Sequence, residues 1–99
     1  MKSYVEMLEE HRRLSILRVL AEAAPHEAND SILTDALNAV GVTSSRDQAR
    51  TAIGWLAEQG LVTQEALGSL KLVRLTGRGL DVARGRARVD GVKPPSPGS

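Results

Sequence analysis

TSSRDQARTAIGWLAEQGLVT, residues 43–63, has the cadence of one helix and its exits. Ser45 and Gln48 stand three apart, the spacing of a capping box. In that device a serine side chain accepts a backbone N–H while the glutamine reaches back to the cap. Ser44 with Asp47 offers the same device one residue earlier, so the start is set to within one position. Ala49, Ala52, Ile53 and Leu56 recur at helical spacing and form an apolar stripe. Arg46, Gln48, Arg50, Thr51 and Gly54 lie largely off it. Gln59-Gly60 stops the run, glycine being the residue that most readily closes a helix. The predicted helix spans 45–59. Trp55 flanks the Ile53/Leu56 stripe and is expected beside the core, half exposed.

Working downstream, Leu61 to Leu67 and Leu70 to Leu75 are β-prone, and Gly68-Ser69 between them suits a tight hairpin. Thr76 caps a last short helix carrying Leu80, Val82 and Ala83. From Gly85 the pattern dissolves, and GVKPPSPGS reads as an extended or disordered tail. Upstream, Val42 and Thr43 form a turn after a helix of about ten residues. That helix carries Ile32, Leu33, Ala36, Leu37 and Val40, is capped by Asn29, Asp30 or Ser31, and is stopped by Gly41. PHEAND is a polar connection before it. Residues 4 to 24 read as one long helix or two abutting ones, with Leu14, Leu17, Ala21 and Ala24 in the stripe and Ile16, Leu20 and Ala23 widening it. Arg12, Ser15, Arg18 and Glu22 fall on another side. Glu9 precedes Arg13 by four residues, the favourable orientation for an ion pair on a helix face. Pro25 ends the run. The expected fold is mainly α: a three-helix core, a two-stranded hairpin and a short C-terminal helix. The domain covers residues 1–84 and the Pro/Gly-rich tail 85–99.

Ninety-nine residues suffice for one small core. Hydrophobic residues at 41% and charged residues at 25% suit a soluble globular class. With Tyr4 and Trp55 as the aromatics and no Phe, the core must be aliphatic. The absence of Cys removes disulfides, thiolate metal sites and cysteine nucleophiles. No apolar run approaches the length of a membrane span, and MKSYVEMLEEHRR lacks a signal-peptide core, so a cytoplasmic location is expected. The net charge of +1 is uneven. Residues 1–69 hold six Lys/Arg against ten Asp/Glu, and residues 70–99 seven against two. A basic end favours a polyanion, or is only a solvated terminus.

The order helix, GVTSS turn, helix, LAEQGLVT, hairpin resembles the winged helix-turn-helix of small bacterial regulators of the ArsR, MarR and DeoR types. Ser45, Ala49, Leu56 and Glu58-Gln59-Gly60-Leu61 stand where those families place the cap, the apolar position, the leucine and the exit of the recognition helix. LTGRG, residues 75–79, resembles the Leu-Thr-x-x-Gly that follows the wing. The whole chain, through GVKPPSP, is also similar to a family of short proteins of Mu-like prophages.

The resemblance implies that the central helix enters a DNA major groove. Such a helix meets base edges near its N-terminal end, where free N–H groups and the helix dipole also favour phosphate. Ser44 and Ser45 can cap and donate to phosphate. Arg46 can bond guanine or clamp the backbone, Gln48 can pair with adenine edges, and Arg50 and Thr51 lie one turn on. On the hairpin, Lys71 and Arg74 are three apart, hence on opposite faces of a regular strand. Arg78, Arg84, Arg86 and Arg88 are further candidates for backbone contacts. Arg46 near the helix start is expected to read a base, and Arg50 one turn later to hold a phosphate. Each has a plainer reading: Ser45 and Gln48 as a cap only, the arginines as solvated charges.

No catalytic constellation emerges. His11 and His26 have no thiol companion, and Gly77-Arg78-Gly79 lacks the ending of a phosphate loop. The expectation is therefore a protein that is no enzyme, with no cofactor, no metal and no small-molecule substrate. Double-stranded DNA is the expected partner, in a transcriptional regulator of a phage or prophage. The alternative is a protein-interaction module, accessory to phage assembly or DNA packaging. Tyr4, Val5, Met7 and Leu8 extend the apolar surface of the first helix beyond what one short core needs, which implies a homodimer.

Overall fold

The computed structural model describes residues 1–96. It contains four helices and a three-stranded antiparallel sheet. Helix α1, Tyr4–Glu22, is continuous, and Ser3 caps it by accepting the Glu6 N–H at 3.1 Å. It stops short of Pro25, as the proline dictates. Strand β1, Glu27–Asn29, runs directly into helix α2, Asp30–Ala39. Of the three candidate caps, Asn29 serves, its Oδ1 accepting the Ile32 N–H at 2.8 Å. Helix α3 is Arg46–Glu58, strands β2 and β3 are Val62–Leu67 and Leu70–Leu75, and helix α4 is Gly77–Ala83. Thr76 caps α4 by accepting the Gly79 N–H at 3.0 Å.

The hairpin closes over Gly68-Ser69, with Leu67 opposite Leu70. Gly68 has φ of +61° and Ser69 does not have a positive φ, the arrangement of a type II′ turn, which suits two strands of normal twist. The sheet holds a third strand that the pattern PHEAND does not announce. β1 pairs with β3 on the edge away from β2, with Ala28 opposite Val73. The expected two-stranded arrangement is corrected on this point. Three residues are too few to display a period-two pattern, and β1 exists because β3 offers it a ladder.

One aliphatic core joins all the layers. Leu14, Ile16, Leu17 and Leu20 of α1 meet Leu33 and Leu37 of α2, Ala49, Ala52, Ile53 and Leu56 of α3, and Val62 and Val73 of the sheet. Each large side chain so buried contributes about 1.5–3 kcal/mol. Trp55 is half-buried at the edge of this core, as its position beside the stripe implies. Ile32 and Val40, counted with the apolar face of α2, are instead exposed.

Two readings of α1 change. Arg12, assigned to the polar side, is fully buried, because its guanidinium finds three acceptors inside the protein. Glu9 pairs with Arg12 rather than Arg13. Arg13 lies over the Trp55 ring at 4.1 Å from its centroid and donates to the Gly91 carbonyl at 2.9 Å.

The C-terminal segment is irregular, as expected, but within residues 85–96 it is laid against the domain. Val92 joins the buried core, Ala87 and Val89 pack on it, and the Lys93 N–H donates to the Glu10 carbonyl at 3.2 Å. Residues 97–99, the end of the expected tail, lie outside the described residues. No helix among the described residues is long and apolar enough to cross a membrane.

Candidate functional site

The N-terminal end of α3 is fixed by two devices. The first is the capping box. Ser45 Oγ accepts the Gln48 N–H at 3.1 Å, and Gln48 Oε1 accepts the Ser45 N–H at 2.9 Å. The Ser44/Asp47 alternative is not used. The Gln48 carbonyl oxygen is thereby committed to the cap, while its amide nitrogen is outside those two bonds.

The second device is a brace from α1. Arg12 donates from Nε to Ser44 Oγ at 2.8 Å, from Nη2 to the Thr43 carbonyl at 3.1 Å and from Nη1 to the Glu9 carboxylate. Ser44 in turn donates to the Val42 carbonyl at 2.8 Å. Asn38 closes the other side, accepting the Ser44 N–H at 3.0 Å and donating to the Ser44 carbonyl at 3.0 Å. A buried turn must satisfy its own backbone groups, and here one arginine and one asparagine do so. Ser44 is therefore an interior residue whose hydroxyl is spent.

Two of the expected site residues, Arg46 and Arg50, meet where α3 approaches the hairpin tip. Asp30, the first residue of α2, is wholly buried and is the hub. Its Oδ1 accepts the Lys71 N–H at 2.8 Å, and its Oδ2 accepts Arg46 Nε at 3.2 Å and Arg50 Nε at 2.5 Å. Both arginines also donate through Nη2 to the Ser69 carbonyl, at 3.3 and 2.7 Å. Burial alone pushes the Asp30 carboxyl up. The Lys71 N–H and the two guanidiniums outweigh it and hold the carboxyl well below the usual carboxylate range. Asp30 is thus ionised, and two cations share one anion. Arg46 and Arg50 keep 42% and 34% of their side-chain surface in solvent. Ser45, Asp47, Gln48 and Thr51 are exposed on α3 beside them.

Of the residues expected to form one surface, the structure gathers Ser45, Arg46, Gln48, Arg50 and Thr51 at this end of α3, with Lys71 adjoining through its backbone. Ser44 is turned inward. Arg74 is drawn elsewhere, pairing across the sheet with Glu27 at 2.8 Å and Glu65 at 3.3 Å. Arg78 donates to the Gln59 carbonyl, and Arg86 pairs with Asp81 at 3.1 Å. Arg84 and Arg88 are exposed. Among the described residues no group of three or more His, Asp and Glu is placed to hold a metal ion.

Sequence reasoning missed Asp30 as the hub and Arg12 as the brace. Asp30 was one of three candidate caps, a role that Asn29 takes. Nothing in the flanking pattern marks Arg12, which stands off the apolar stripe of α1 and is drawn inside by acceptors in the Thr43–Ser44 turn.

The chain is 56% identical over 92 residues to the uncharacterized protein gp26 of Escherichia phage Mu, a match covering 93% of this chain and 95% of gp26. Over 65 residues it is 48% identical to an uncharacterized protein of Haemophilus influenzae, covering 66% of this chain and 63% of that protein. No family model and no solved structure matches it.

Proposed function

The chain belongs to the family of the phage Mu protein gp26, and we propose that within this family it is a winged helix-turn-helix that binds double-stranded DNA and regulates transcription of a Mu-like phage or prophage. In this reading α2, the braced turn and α3 are the helix-turn-helix, the β2–β3 hairpin is the wing, and β1 is the short strand that seats it. Such a protein works in the cytoplasm. The observation that carries the proposal is the arginine pair: two half-exposed arginines, at the end of α3 that would face DNA, share one carboxylate and leave a positive excess between helix and wing. The reading surface is Ser45, Arg46, Gln48, Arg50, Thr51 and Lys71. Ser44 supports it from within the turn, and Arg74, paired with Glu27 and Glu65 on the sheet, lies apart from it.

The exposed Tyr4, Val5 and Met7 at the start of α1 offer an apolar strip through which two copies associate, giving the two-fold symmetry that suits paired half-sites. Sedimentation at high micromolar concentration is expected to show the dimer, and a monomer throughout would refute it.

A salt-dependent mobility-shift assay on random duplex DNA tests the function. Binding is expected at low salt, weakening linearly in log–log form as salt rises. A second reading, a protein-docking module accessory to phage assembly or DNA packaging, is favoured by two features. The exposed Asp47 and Glu58 on α3 repel a polyanion, and Leu67 is exposed beside the hairpin tip. Absence of duplex binding at low salt would put that reading first.

A further inference from the structure

Resting on the DNA reading above, we infer that Arg46 and Arg50 act as one clamp on a single backbone phosphate, and that neither reads a base. The two guanidiniums share both of their acceptors, Asp30 Oδ2 and the Ser69 carbonyl, so they lie side by side. Like charges so placed require an anion. Asp30 supplies one negative charge to two positive ones. The remaining unit of positive charge matches the single negative charge of one phosphodiester.

Donors remain for it. The bonds to Asp30 and Ser69 use Nε and Nη2 of each arginine, which leaves the Nη1 amino groups unspent. Both side chains reach solvent. The pair is also fixed in advance. Asp30 ties it to α2, the Lys71 N–H ties Asp30 to β3, and Ser69 ties it to the hairpin tip. A phosphate therefore meets arginines whose ordering is already complete.

The charge balance argues against base reading. A guanine edge would leave the excess positive charge of the pair uncompensated, whereas a phosphate neutralises it. The expected division of labour, base for Arg46 and phosphate for Arg50, thus gives way to one shared role. Sequence reading then falls to the free amide nitrogen of Gln48 and the hydroxyl of Thr51.

The test is the slope of log affinity against log salt between roughly 50 and 200 mM for wild type, Arg46→Gln, Arg50→Gln and the double variant, on duplexes of random and selected sequence. Each phosphate contact contributes a slope of about 0.9. Each single variant is expected to lose about one unit of slope, and the double variant about one, not two, with equal weakening on both duplexes. A loss of about two units in the double variant would mean two separate phosphates and would overturn the clamp. So would a selective loss on the selected duplex in Arg46→Gln, the mark of a base contact, or unchanged slopes in all three. Those results leave DNA binding standing, whereas a wild-type protein that binds no duplex removes both readings. Thermal melts establish that the variants are folded. Arg46→Lys and Arg50→Lys give a second arm that keeps the charge. They are expected to retain the slope and lose about tenfold in affinity, and an unchanged affinity would overturn the clamp.

Discussion

Asp30 carries a charge where charge is costly, and its neighbours explain why it is tolerated. Its two oxygens take three donors from two elements, α3 twice and β3 once. Removing one partner of such a pair costs more than the pair contributes, because the others are left uncompensated. Asp30→Asn is expected to cost about 2–3 kcal/mol, below the range for a fully buried pair because both arginines are partly solvated. The pH dependence has a definite sign. In the unfolded chain the carboxyl titrates near its ordinary value of 3.8, and in the fold it lies well below. Its stabilisation is full above the unfolded value and is lost as pH falls below about 4 toward the folded value. Circular dichroism during acid titration should show Asp30→Asn losing less stability than wild type below pH ~4, and parallel profiles would contradict this role. Arg12 is the matching case in the turn. Its three acceptors lie in one planar fork, so Arg12→Lys keeps the charge and loses the geometry. A loss of about 2 kcal/mol in urea unfolding is expected, and full rescue by lysine would show that charge alone suffices. Neither role was legible in the sequence. An aspartate before an apolar run reads as a cap, and an arginine two positions from the stripe reads as surface. What decides both is the arrival of partners distant in the chain, Arg50 for Asp30 and Ser44 for Arg12.

Among the elements, the helices were legible because each carries its own start, stripe and stop. Ser45 with Gln48, Thr76 and Gly60 all act locally, and local signals survive in a linear sequence. β1 was not legible, because its hydrogen bonds belong to a ladder with β3, more than forty residues away in the register Glu27 to Arg74. Two helical glycines show how element and packing divide the same residue type. Gly54 lies inside α3 with nothing within 4 Å of where a Cβ would stand. Gly54→Ala should therefore stabilise the protein by up to about 1 kcal/mol, through helix propensity alone. Gly79 lies inside α4, where a Cβ would stand 2.0 Å from the Leu61 carbonyl oxygen and 2.8 Å from Leu75 Cδ1. The same substitution there must push α4 off the entry to β2, at a cost of about 3 kcal/mol or more. Thermal melts of the two variants should move in opposite directions, and a shared direction would mean that propensity or packing has been misjudged at one of them.

For the molecule as a whole, the C-terminal segment decides where the domain ends. The sequence there offers Val89 and Val92 without any period, among glycine, proline and charge, and such a pattern cannot distinguish a free tail from a docked one. The fold distinguishes them by complementarity. Gly91 has φ of +98°, and a Cβ on it would stand 2.6 Å from Cζ2 of Trp55. Only glycine therefore lets the chain pass over a tryptophan whose ring is already in contact with Arg13. The Gly91 carbonyl accepts from that same arginine, and the next residue, Val92, enters the core shared by all four helices. Backbone, cation and apolar side chain thus converge within two residues, so the segment to Val92 belongs to the domain. Gly91→Ala should lift it, through both the unfavourable φ and the clash. The expected cost is about 2 kcal/mol, or a fall in Tm of roughly 10 °C for a domain of this size. Trp55 is the single tryptophan, so its fluorescence reports the cover directly. A red shift in the folded variant, together with the lower melting temperature, is the expected pair of results. A red shift with unchanged melting would make the segment a dispensable strap, and an unchanged emission maximum would mean that it does not shield Trp55 at all.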